Sequence, residues 1–164
     1  MKLPKHTEYT HTPSPLGRIT LAAAGEKLVG VWFDAQAHLP DFSVYAPAPD
    51  HPLLQQAAEQ LAQYFSGERS TFDLPLDLSS GTAFQQAVWQ ALLLLTPGQT
   101  CSYKALSAAV SRPAAVRAVG GAVGRNPLSI IVPCHRVVGA NGALTGYAGG
   151  LARKTALLHL EGAL

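Results

Sequence analysis

The sequence predicts an α/β fold, with a small antiparallel sheet in its first half and mainly helices in its second. Three observations support this prediction. Short apolar runs separated by turn residues fill positions 9–33, apolar residues recur at helical spacing from position 52 onwards, and glycine or proline ends most of these segments. With 164 residues, of which 48% are apolar, the chain can bury one good core or two small ones.

Short strands are predicted between residues 9 and 33. The segment 19–23 alternates in polarity after a turn signal at residues 14–17, and residues 28–33 form a second apolar run after a turn at residues 25–27. Runs joined by such tight turns are typical of an antiparallel sheet.

A helix and a further strand complete the first half. After a proline-rich loop, Pro52 suits the first turn of a helix whose apolar positions continue at helical spacing until Ser66-Gly67 ends it. Residues 72–78 are predicted to form one more strand. The small residues 79–81 then mark a boundary between two domains.

The second half is predicted to begin with a helix, followed by a helix-turn-helix. Thr82 and Gln85 are spaced as a capping box at the start of a helix that Pro97-Gly98 stops. Two short helices follow, over residues 102–110 and 113–124, and a tight turn joins them. Two helices connected in this way form a helix-turn-helix.

The outward surface of the second of these two helices is smooth. Its buried stripe is expected to consist of Val116, Val119, Gly120 and Val123. Small residues and one arginine remain for the outer face: Ala114, Ala115, Arg117, Ala118 and Gly121. A helix that reads bases in the major groove would carry several Asn, Gln, Arg or Lys side chains, whereas small residues allow close approach to a groove. We therefore predict sequence-tolerant binding in the minor groove, with packing against another helix as the alternative.

The two predicted domains, residues 1–78 and 79–164, differ in charge. Residues 1–77 hold five basic and nine acidic residues, a net charge of −4, whereas the remainder holds seven basic residues and Glu161 alone, a net charge of +6. This asymmetry indicates that the C-terminal half faces a polyanion. Modest basicity is also common on ordinary surfaces, so charge alone leaves nucleic-acid binding open.

Cys134 is a candidate nucleophile. Cys101 and Cys134 are the only cysteines, too few for a disulfide framework or a four-cysteine zinc site. The apolar run 128–132 is predicted to be a buried strand leading into Cys134, and the neighbouring His135 and Arg136 would lower the thiol pKa. Because adjacent strand residues point to opposite faces, a water could relay the thiol proton to His135. A purely structural cysteine is the alternative.

The segment Pro133-Cys134-His135-Arg136-Val137 resembles the signature of the O6-alkylguanine-DNA alkyltransferases. Further matches follow in order through the second half: Phe84-Gln85, Val88-Trp89, Pro97-Gly98, Ser102-Tyr103, Arg117-Ala118-Val119-Gly120, Asn126-Pro127, Gly146-Tyr147-Ala148-Gly149-Gly150, Leu157-Leu158 and Glu161-Gly162. The first half resembles the family only in its pattern of strands and helix. The resemblance implies a ribonuclease-H-like N-terminal domain and a winged-helix-like C-terminal domain that carries the helix-turn-helix.

The resemblance implies a single-turnover methyltransferase that repairs DNA. Cys134 would take an alkyl group, mainly methyl, from O6 of a flipped-out guanine and, to a lesser extent, from O4 of thymine. The resulting thioether has no good leaving group, so each molecule would react once. His135 would accept the thiol proton through water, Glu161 would orient His135, and Tyr103 would donate a hydrogen bond or proton to the departing guanine. The alternatives are an ordinary helix-end carboxylate for Glu161 and a half-buried aromatic for Tyr103.

The resemblance also implies residues that bind DNA and form the pocket. Arg117 would enter the base stack in place of the flipped nucleotide, although without the resemblance it would be a phosphate contact. Tyr103 would help to rotate the nucleotide, and Asn126 before proline would fix the turn between the DNA-binding helix and the active-site strand. The remaining predicted contacts are Ala115, Ala118 and Gly121 on the helix, the backbone of Cys134 and Val137 at the guanine edge, and Tyr147 and Ala148 in the pocket wall.

The expected partner is double-stranded DNA containing O6-alkylguanine, bound by a monomer that needs no cofactor. Some family members hold zinc in the first domain through cysteine and histidine, but no cysteine precedes Cys101 here, so no metal is expected and Cys101 is interpreted as a packing residue. No apolar stretch approaches the ~18 residues of a membrane span and no secretory signal is evident, which predicts a cytoplasmic protein. Two rival functions remain: a lesion-binding protein with an unreactive Cys134, and a helix-turn-helix transcription regulator.

Overall fold

The structure of the protein, a computed structural model, describes residues 2–164. Its strands and helices are β1 (Thr7–Thr12), β2 (Ile19–Ala24), β3 (Lys27–Phe33), β4 (Ala46–Pro47), α1 (Pro52–Ser66), α2 (Ala83–Leu92), β5 (Cys101–Ser102), α3 (Tyr103–Ala109), α4 (Val116–Gly124), β6 (Val137–Val138) and α5 (Leu151–Leu160). Short 3-10 helices cover Phe42–Val44, Cys134–Arg136 and Ala140–Gly142. The predicted α/β class is confirmed, with the main sheet in the first half and most helices in the second.

The N-terminal sheet has the strand order β3-β2-β1-β4. β2 pairs with β1 and with β3 in antiparallel register, as the tight turns between these segments predict, whereas the two-residue β4 runs parallel to β1. Leu54 and Leu61 of α1 belong to the same apolar core as Ile19 and Leu21 of β2. A second apolar cluster around Trp32 lies on the other face of the sheet, so the sheet is covered on both sides.

Local sequence signals set the helix ends. α1 begins at the predicted Pro52 and ends at Gly67, whose φ of +84° lies in the left-handed region that glycine adopts without strain. The predicted capping box forms at α2: the Gln85 N–H donates to Thr82 Oγ1 at 3.1 Å, and the Thr82 N–H donates to Gln85 Oε1 at 3.0 Å. The helix then ends at Leu92 rather than at Pro97, because tighter turns take up the carbonyls that follow.

α3 and α4 form the predicted helix-turn-helix, although α4 is shorter than expected. It begins at Val116 and not at Pro113, because a turn closed by the Ala115 N–H and the Arg112 carbonyl (2.9 Å) precedes it. For this reason Val116 is 38% exposed and lies outside the buried stripe of the helix, whereas Val119 belongs to that stripe. The indole N–H of Trp89 on α2 donates to the Ala122 carbonyl at 2.8 Å and ties α4 to the preceding helix.

Two segments predicted as strands meet β3 only at single bridges. Leu76 bridges to Leu28, and Leu128 bridges to Val31. Proline carries no N–H and cannot extend such a ladder. Pro75 interrupts the segment 72–78, and Pro127 and Pro133 flank the segment 128–132. The expectation that Cys134 leaves a buried strand is therefore wrong, since the chain turns over residues 129–132 before it reaches the cysteine.

The bridge at Leu128 nevertheless positions the second half against the first. The Val31 N–H donates to the Pro127 carbonyl at 2.8 Å, and the Ser129 N–H donates to the Val31 carbonyl at 3.0 Å. One apolar core runs from β2 and α1 to α2, α4 and α5. The division into domains 1–78 and 79–164 stays a prediction. Within residues 2–164, no helix is both long and apolar enough to cross a membrane.

Candidate functional site

A cavity of about 250 Å³ lies where the two halves of the chain meet, and Cys134 is part of its wall. The first half contributes the loop after β3, and the second half contributes α3, α4 and the segment before α5. The lining residues are Ala37, His38, Tyr103, Gly120, Val123, Gly124, Cys134, Gly146, Tyr147 and Ala148. Of the predicted site residues, the structure thus brings Tyr103, Cys134, Tyr147 and Ala148 together around one space.

Asn126 holds the turn that leads from α4 to Cys134. Its side-chain amide donates to the Val132 carbonyl at 2.8 Å, and its side-chain oxygen accepts from the Leu128 N–H at 2.9 Å. Inside this turn Ile130 has a φ of +74°, which is rare for a β-branched residue. The buried amide thus holds a turn of unusual conformation.

Cys134 begins a 3-10 turn and is 4% exposed. Burial raises the pKa of its thiol above the ordinary value, and the Asn126 side chain, the Lys154 cation and the Tyr147 hydroxyl oppose that shift. The prediction that His135 and Arg136 lower the thiol pKa is wrong for this structure, because both side chains face Glu161 instead. Formation of the thiolate therefore calls for a base that removes the proton.

His135 is fully buried and is oriented by Glu161. Its Nε2 lies 2.8 Å from Glu161 Oε2, whereas Nδ1 is buried and has no hydrogen-bond partner among residues 2–164. Because a carboxylate only accepts, we assign the proton to Nε2, which leaves Nδ1 as the acceptor. Burial lowers the pKa of His135, so the ring is neutral near pH 7 and able to take up a proton.

Glu161, the C-cap of α5, is hydrogen-bonded to three side chains, those of His135, Arg136 and Tyr64. Arg136 donates from Nε to Oε1 at 2.8 Å and from its terminal nitrogen to Oε2 at 2.9 Å. The Tyr64 hydroxyl of α1 donates to Oε2 at 2.6 Å. Burial by itself would raise the pKa of Glu161, but the hydrogen bonds from His135 and Arg136 lower it to about 2. The carboxylate therefore stays ionised beside His135 at any ordinary pH.

Tyr103 and Tyr147 line the same cavity as Cys134. Tyr103 opens α3 and is half-buried, and its hydroxyl donates to the Thr145 carbonyl at 3.4 Å. Burial raises the pKa of Tyr103 and of Tyr147, which keeps both phenols protonated as hydrogen-bond donors. The cavity wall at Ala148 is tied to the first half, because its carbonyl accepts from the Ala37 N–H at 2.9 Å.

The outer face of α4 lies next to the mouth of the cavity, since Gly120, Val123 and Gly124 of this helix line it. Arg117, Ala118 and Gly121 are exposed and Ala115 is half-buried, so most of the predicted contact face is open to solvent. An added Cβ at Gly121 would meet no atom within 4 Å. Glycine is therefore not needed at that position for packing inside the protein.

Val137, whose backbone is predicted to contact the guanine edge, does not line the cavity. It pairs with Cys101 across the two-stranded sheet of β5 and β6, which confines Cys101 to a half-buried packing position. The Val137 carbonyl accepts a 2.6 Å hydrogen bond from Lys154 Nζ, and its N–H donates to the Cys134 carbonyl. Both backbone groups are therefore engaged inside the protein.

Sequence reasoning missed two buried polar groups of this site. Lys154 on α5 has no exposed surface, and its ammonium group also donates to the carbonyls of Thr145 and of Gly146, the second of which lines the cavity. Its spacing from Leu157 and Leu158 places it on the apolar face of α5, a signal the sequence does carry. Tyr64 falls at helical spacing among apolar residues, where it is interpreted as a packing residue. No neighbouring residue indicates that its hydroxyl has a buried partner. Among residues 2–164, no group of three or more His, Cys, Asp and Glu is placed to hold a metal ion.

The arrangement suits nucleophilic chemistry at the Cys134 sulfur. A buried sulfur lies in the wall of a cavity with phenol donors beside it, and a neutral histidine with a free Nδ1 follows it in the chain. No hydrogen bond joins the Cys134 sulfur to His135 among the described residues, so proton transfer between them calls for a water. Cys134, His135 and Glu161 are thus candidates for a nucleophile, a base and the group that orients the base.

Two family models match the chain in order. The model for the ribonuclease-like domain of 6-O-methylguanine DNA methyltransferase matches residues 8–78, and the model for the DNA binding domain of 6-O-methylguanine DNA methyltransferase matches residues 83–163. Together they account for nearly the whole chain.

Relatives and solved structures agree with these matches. The methylated-DNA–protein-cysteine methyltransferase of Mycobacterium tuberculosis is 48% identical over 153 residues, which are 93% of this chain and 91% of that protein. The constitutive methylated-DNA–protein-cysteine methyltransferase of Bacillus subtilis is 46% identical over 93% of this chain and 94% of its own. A crystal structure of M. tuberculosis O6-methylguanine methyltransferase has a TM-score of 0.87 at 46% identity, covering 96% of this chain and 93% of that one. A structure of M. tuberculosis OGT in complex with DNA has the same values.

Proposed function

This chain belongs to the 6-O-methylguanine DNA methyltransferase family, and from that premise we propose that it repairs DNA by taking an alkyl group from guanine O6 onto Cys134. The activity is that of a methylated-DNA–protein-cysteine methyltransferase. The observation that carries the assignment is the juxtaposition of the Cys134 cavity with the buried His135–Glu161 pair.

The transfer proceeds by attack of the Cys134 sulfur on the alkyl carbon. The thiol proton passes through a water to Nδ1 of His135, the S–C bond forms, and the C–O6 bond breaks with its electron pair going to guanine. The departing guanine takes a proton from the Tyr103 hydroxyl at the cavity wall, and the proton held by His135 returns through solvent to Tyr103, so that overall the thiol proton ends on guanine. Guanine is restored and the protein keeps a thioether. Because a thioether has no good leaving group, each molecule acts once.

Access to the cavity requires the damaged nucleotide to leave the duplex. Flipping costs a few kcal/mol and is least costly for a lesion that pairs poorly, which favours O6-alkylguanine over intact guanine. Arg117, exposed on α4 beside the cavity mouth, fills the vacated space in the base stack. O4-alkylthymine offers the same alkyl–oxygen bond and is the lesser substrate.

The smooth face of α4 presses into the minor groove. Ala115, Ala118 and Gly121 allow close approach and carry no groups that discriminate between bases, so binding tolerates any flanking sequence. The protein acts on double-stranded DNA as a monomer and without a cofactor. A cytoplasmic location belongs to this proposal, because the protein must reach the DNA of the cell.

Mass spectrometry of the Cys134 peptide tests the proposal. After incubation with a duplex containing O6-methylguanine, the peptide should gain one CH2 per molecule, and a duplex with unmodified guanine should add nothing. Each protein molecule should remove one methyl group even when the duplex is in excess. A transcription regulator or a lesion-binding protein with an inert thiol would leave the peptide unchanged, and that result would refute the proposal.

A further inference from the structure

Tyr64 connects the first half of the chain to the proton acceptor of the second. It lies on α1, 97 positions before Glu161, and its hydroxyl donates a 2.6 Å hydrogen bond to Glu161 Oε2. The same oxygen lies 2.8 Å from His135 Nε2. One carboxylate oxygen is therefore shared by the base and by a phenol from the N-terminal sheet domain.

Packing alone does not call for a tyrosine at this position. The Tyr64 ring lies against Phe65 and Phe72, with ring centroids 5.4 Å apart in each case. A phenylalanine would make the same ring contacts, whereas a buried hydroxyl is stabilising only if it finds an acceptor. Burial, followed by the charge of Glu161, raises the pKa of Tyr64 far above its ordinary value, so the group is always a donor.

We propose that Tyr64 is a positioning residue, which fixes the Glu161 carboxylate and weakens its pull on the proton of His135 Nε2. Each donor on Oε2 withdraws charge from that oxygen and makes it a poorer partner for the imidazolium form of His135. Tyr64 thereby keeps His135 neutral, with Nδ1 free for the proton of Cys134. The inference rests on the proposed function, since only there does the basicity of His135 govern a rate.

The charged groups around His135 are few. Glu161 stabilises its protonated form, whereas Arg136 and Lys154 destabilise it, and burial acts in the same direction as the two cations. The Tyr64→Phe variant changes none of these charges. Any change in the titration of His135 would therefore report the loss of the hydroxyl.

The experiment compares Tyr64→Phe with the wild-type chain in single-turnover methyl transfer from an O6-methylguanine duplex, from pH 5 to pH 9. Without the hydroxyl, Glu161 holds the protonated His135 more tightly, so the acid limb of the rate profile should move up by about one pH unit. Such a shift makes the variant roughly tenfold slower at low pH, and the two rates should converge at high pH. An unchanged midpoint, whether or not the rate falls equally at all pH values, would overturn the inference.

Tyr45→Phe is the matched control. Its hydroxyl accepts from the Leu3 N–H at 3.2 Å in the same half of the chain and touches no part of the Cys134 site. This variant should keep the wild-type profile. ¹⁵N NMR of the His135 ring adds a readout that needs no substrate: the wild type should show a proton on Nε2, and the Tyr64→Phe ring should titrate at higher pH. If wild-type Cys134 gains no methyl group, the proposed function fails, whereas an unshifted ring titration refutes the role of Tyr64 alone.

Discussion

Lys154 donates a 2.6 Å hydrogen bond from its ammonium group to the carbonyl oxygen of Val137, at a depth where the lysine has no exposed surface. The same nitrogen also binds the carbonyls of Thr145 and Gly146, which precede Tyr147 in the cavity wall. Its charge favours the thiolate of Cys134. One cation therefore holds the wall in place and helps to activate the sulfur.

Lys154→Met should destabilise the protein and slow the reaction of Cys134. Methionine keeps much of the side-chain volume but leaves three carbonyls without their donor. We expect a loss of about 2–3 kcal/mol in the free energy of unfolding, because unpaired buried acceptors cost ~1–3 kcal/mol each and relief from burying a charge offsets part of that. Urea denaturation measures the first effect, and the rate of iodoacetamide labelling of the Cys134 peptide measures the second. Lys104→Met, at an exposed position of α3, should change neither; equal labelling rates in the two variants would contradict the role of Lys154.

Acid should unfold the protein through Glu161. Its pKa is about 2 in the fold against an ordinary value of 4.5, so its contribution to stability is complete above pH 4.5 and is lost as the pH falls towards 2. At ~1.4 kcal/mol per pKa unit the contribution is roughly 3 kcal/mol. His135 also makes the fold less stable in acid. Its pKa is lowered in the fold, so below pH 6.5 the unfolded chain binds a proton on this ring more readily than the folded chain does.

Urea denaturation of Glu161→Gln between pH 2 and pH 7 measures this contribution. The variant should be less stable than wild type by roughly 3 kcal/mol at pH 7, since it leaves the buried Arg136 without its counter-charge, and the difference should shrink towards pH 2. Glu68→Gln, at an exposed carboxylate, should follow the wild-type curve. A difference that stays constant with pH would show that the pKa of Glu161 is the same in the folded and the unfolded chain, and it would contradict the prediction.

Cys134→Ser should retain DNA binding and lose repair. Serine is smaller than cysteine but keeps a polar group in the same 3-10 turn, so α4 and its exposed face remain in place. Fluorescence anisotropy with a labelled duplex should give a dissociation constant within about threefold of wild type, a change of less than ~0.7 kcal/mol in the binding free energy. Chromatography of the digested duplex should recover all of its O6-methylguanine. Lost binding would instead identify Cys134 as a structural residue.

Arg117→Ala should impair transfer from duplex DNA while sparing transfer from a free base. If the side chain replaces the flipped nucleotide, its removal affects only substrates that must leave a stack, and flipping costs a few kcal/mol. We expect roughly 10- to 100-fold slower transfer from the duplex and an unchanged rate with the free base O6-methylguanine. Arg112→Ala removes the same charge from an exposed position in the turn before α4 and should leave the ratio of the two rates unaltered. Equal ratios in both variants would reduce Arg117 to a phosphate contact.

Elements with local signals were predicted well. The start of α1 at Pro52 and the capping box of α2 depend on residues within one helical turn, and the structure contains both. The segments 72–78 and 128–132 were not strands, because strand formation depends on a partner and their prolines limit pairing with β3 to one bridge each. The prediction that Val116 is buried was wrong because α4 begins at Val116 and not at Pro113.

By itself, the sequence determined the α/β class, the helix-turn-helix and the family, because alternation, caps and the segment around Cys134 are patterns of neighbouring residues. Only the tertiary structure decided which groups surround the Cys134 sulfur and the His135 ring. The cation facing Cys134 is Lys154 rather than the adjacent Arg136, and Glu161 receives a donor from 97 positions earlier in the chain. Burial and hydrogen-bond partners control the basicity of these groups, and both arise from packing between distant elements rather than from the order of residues along one of them.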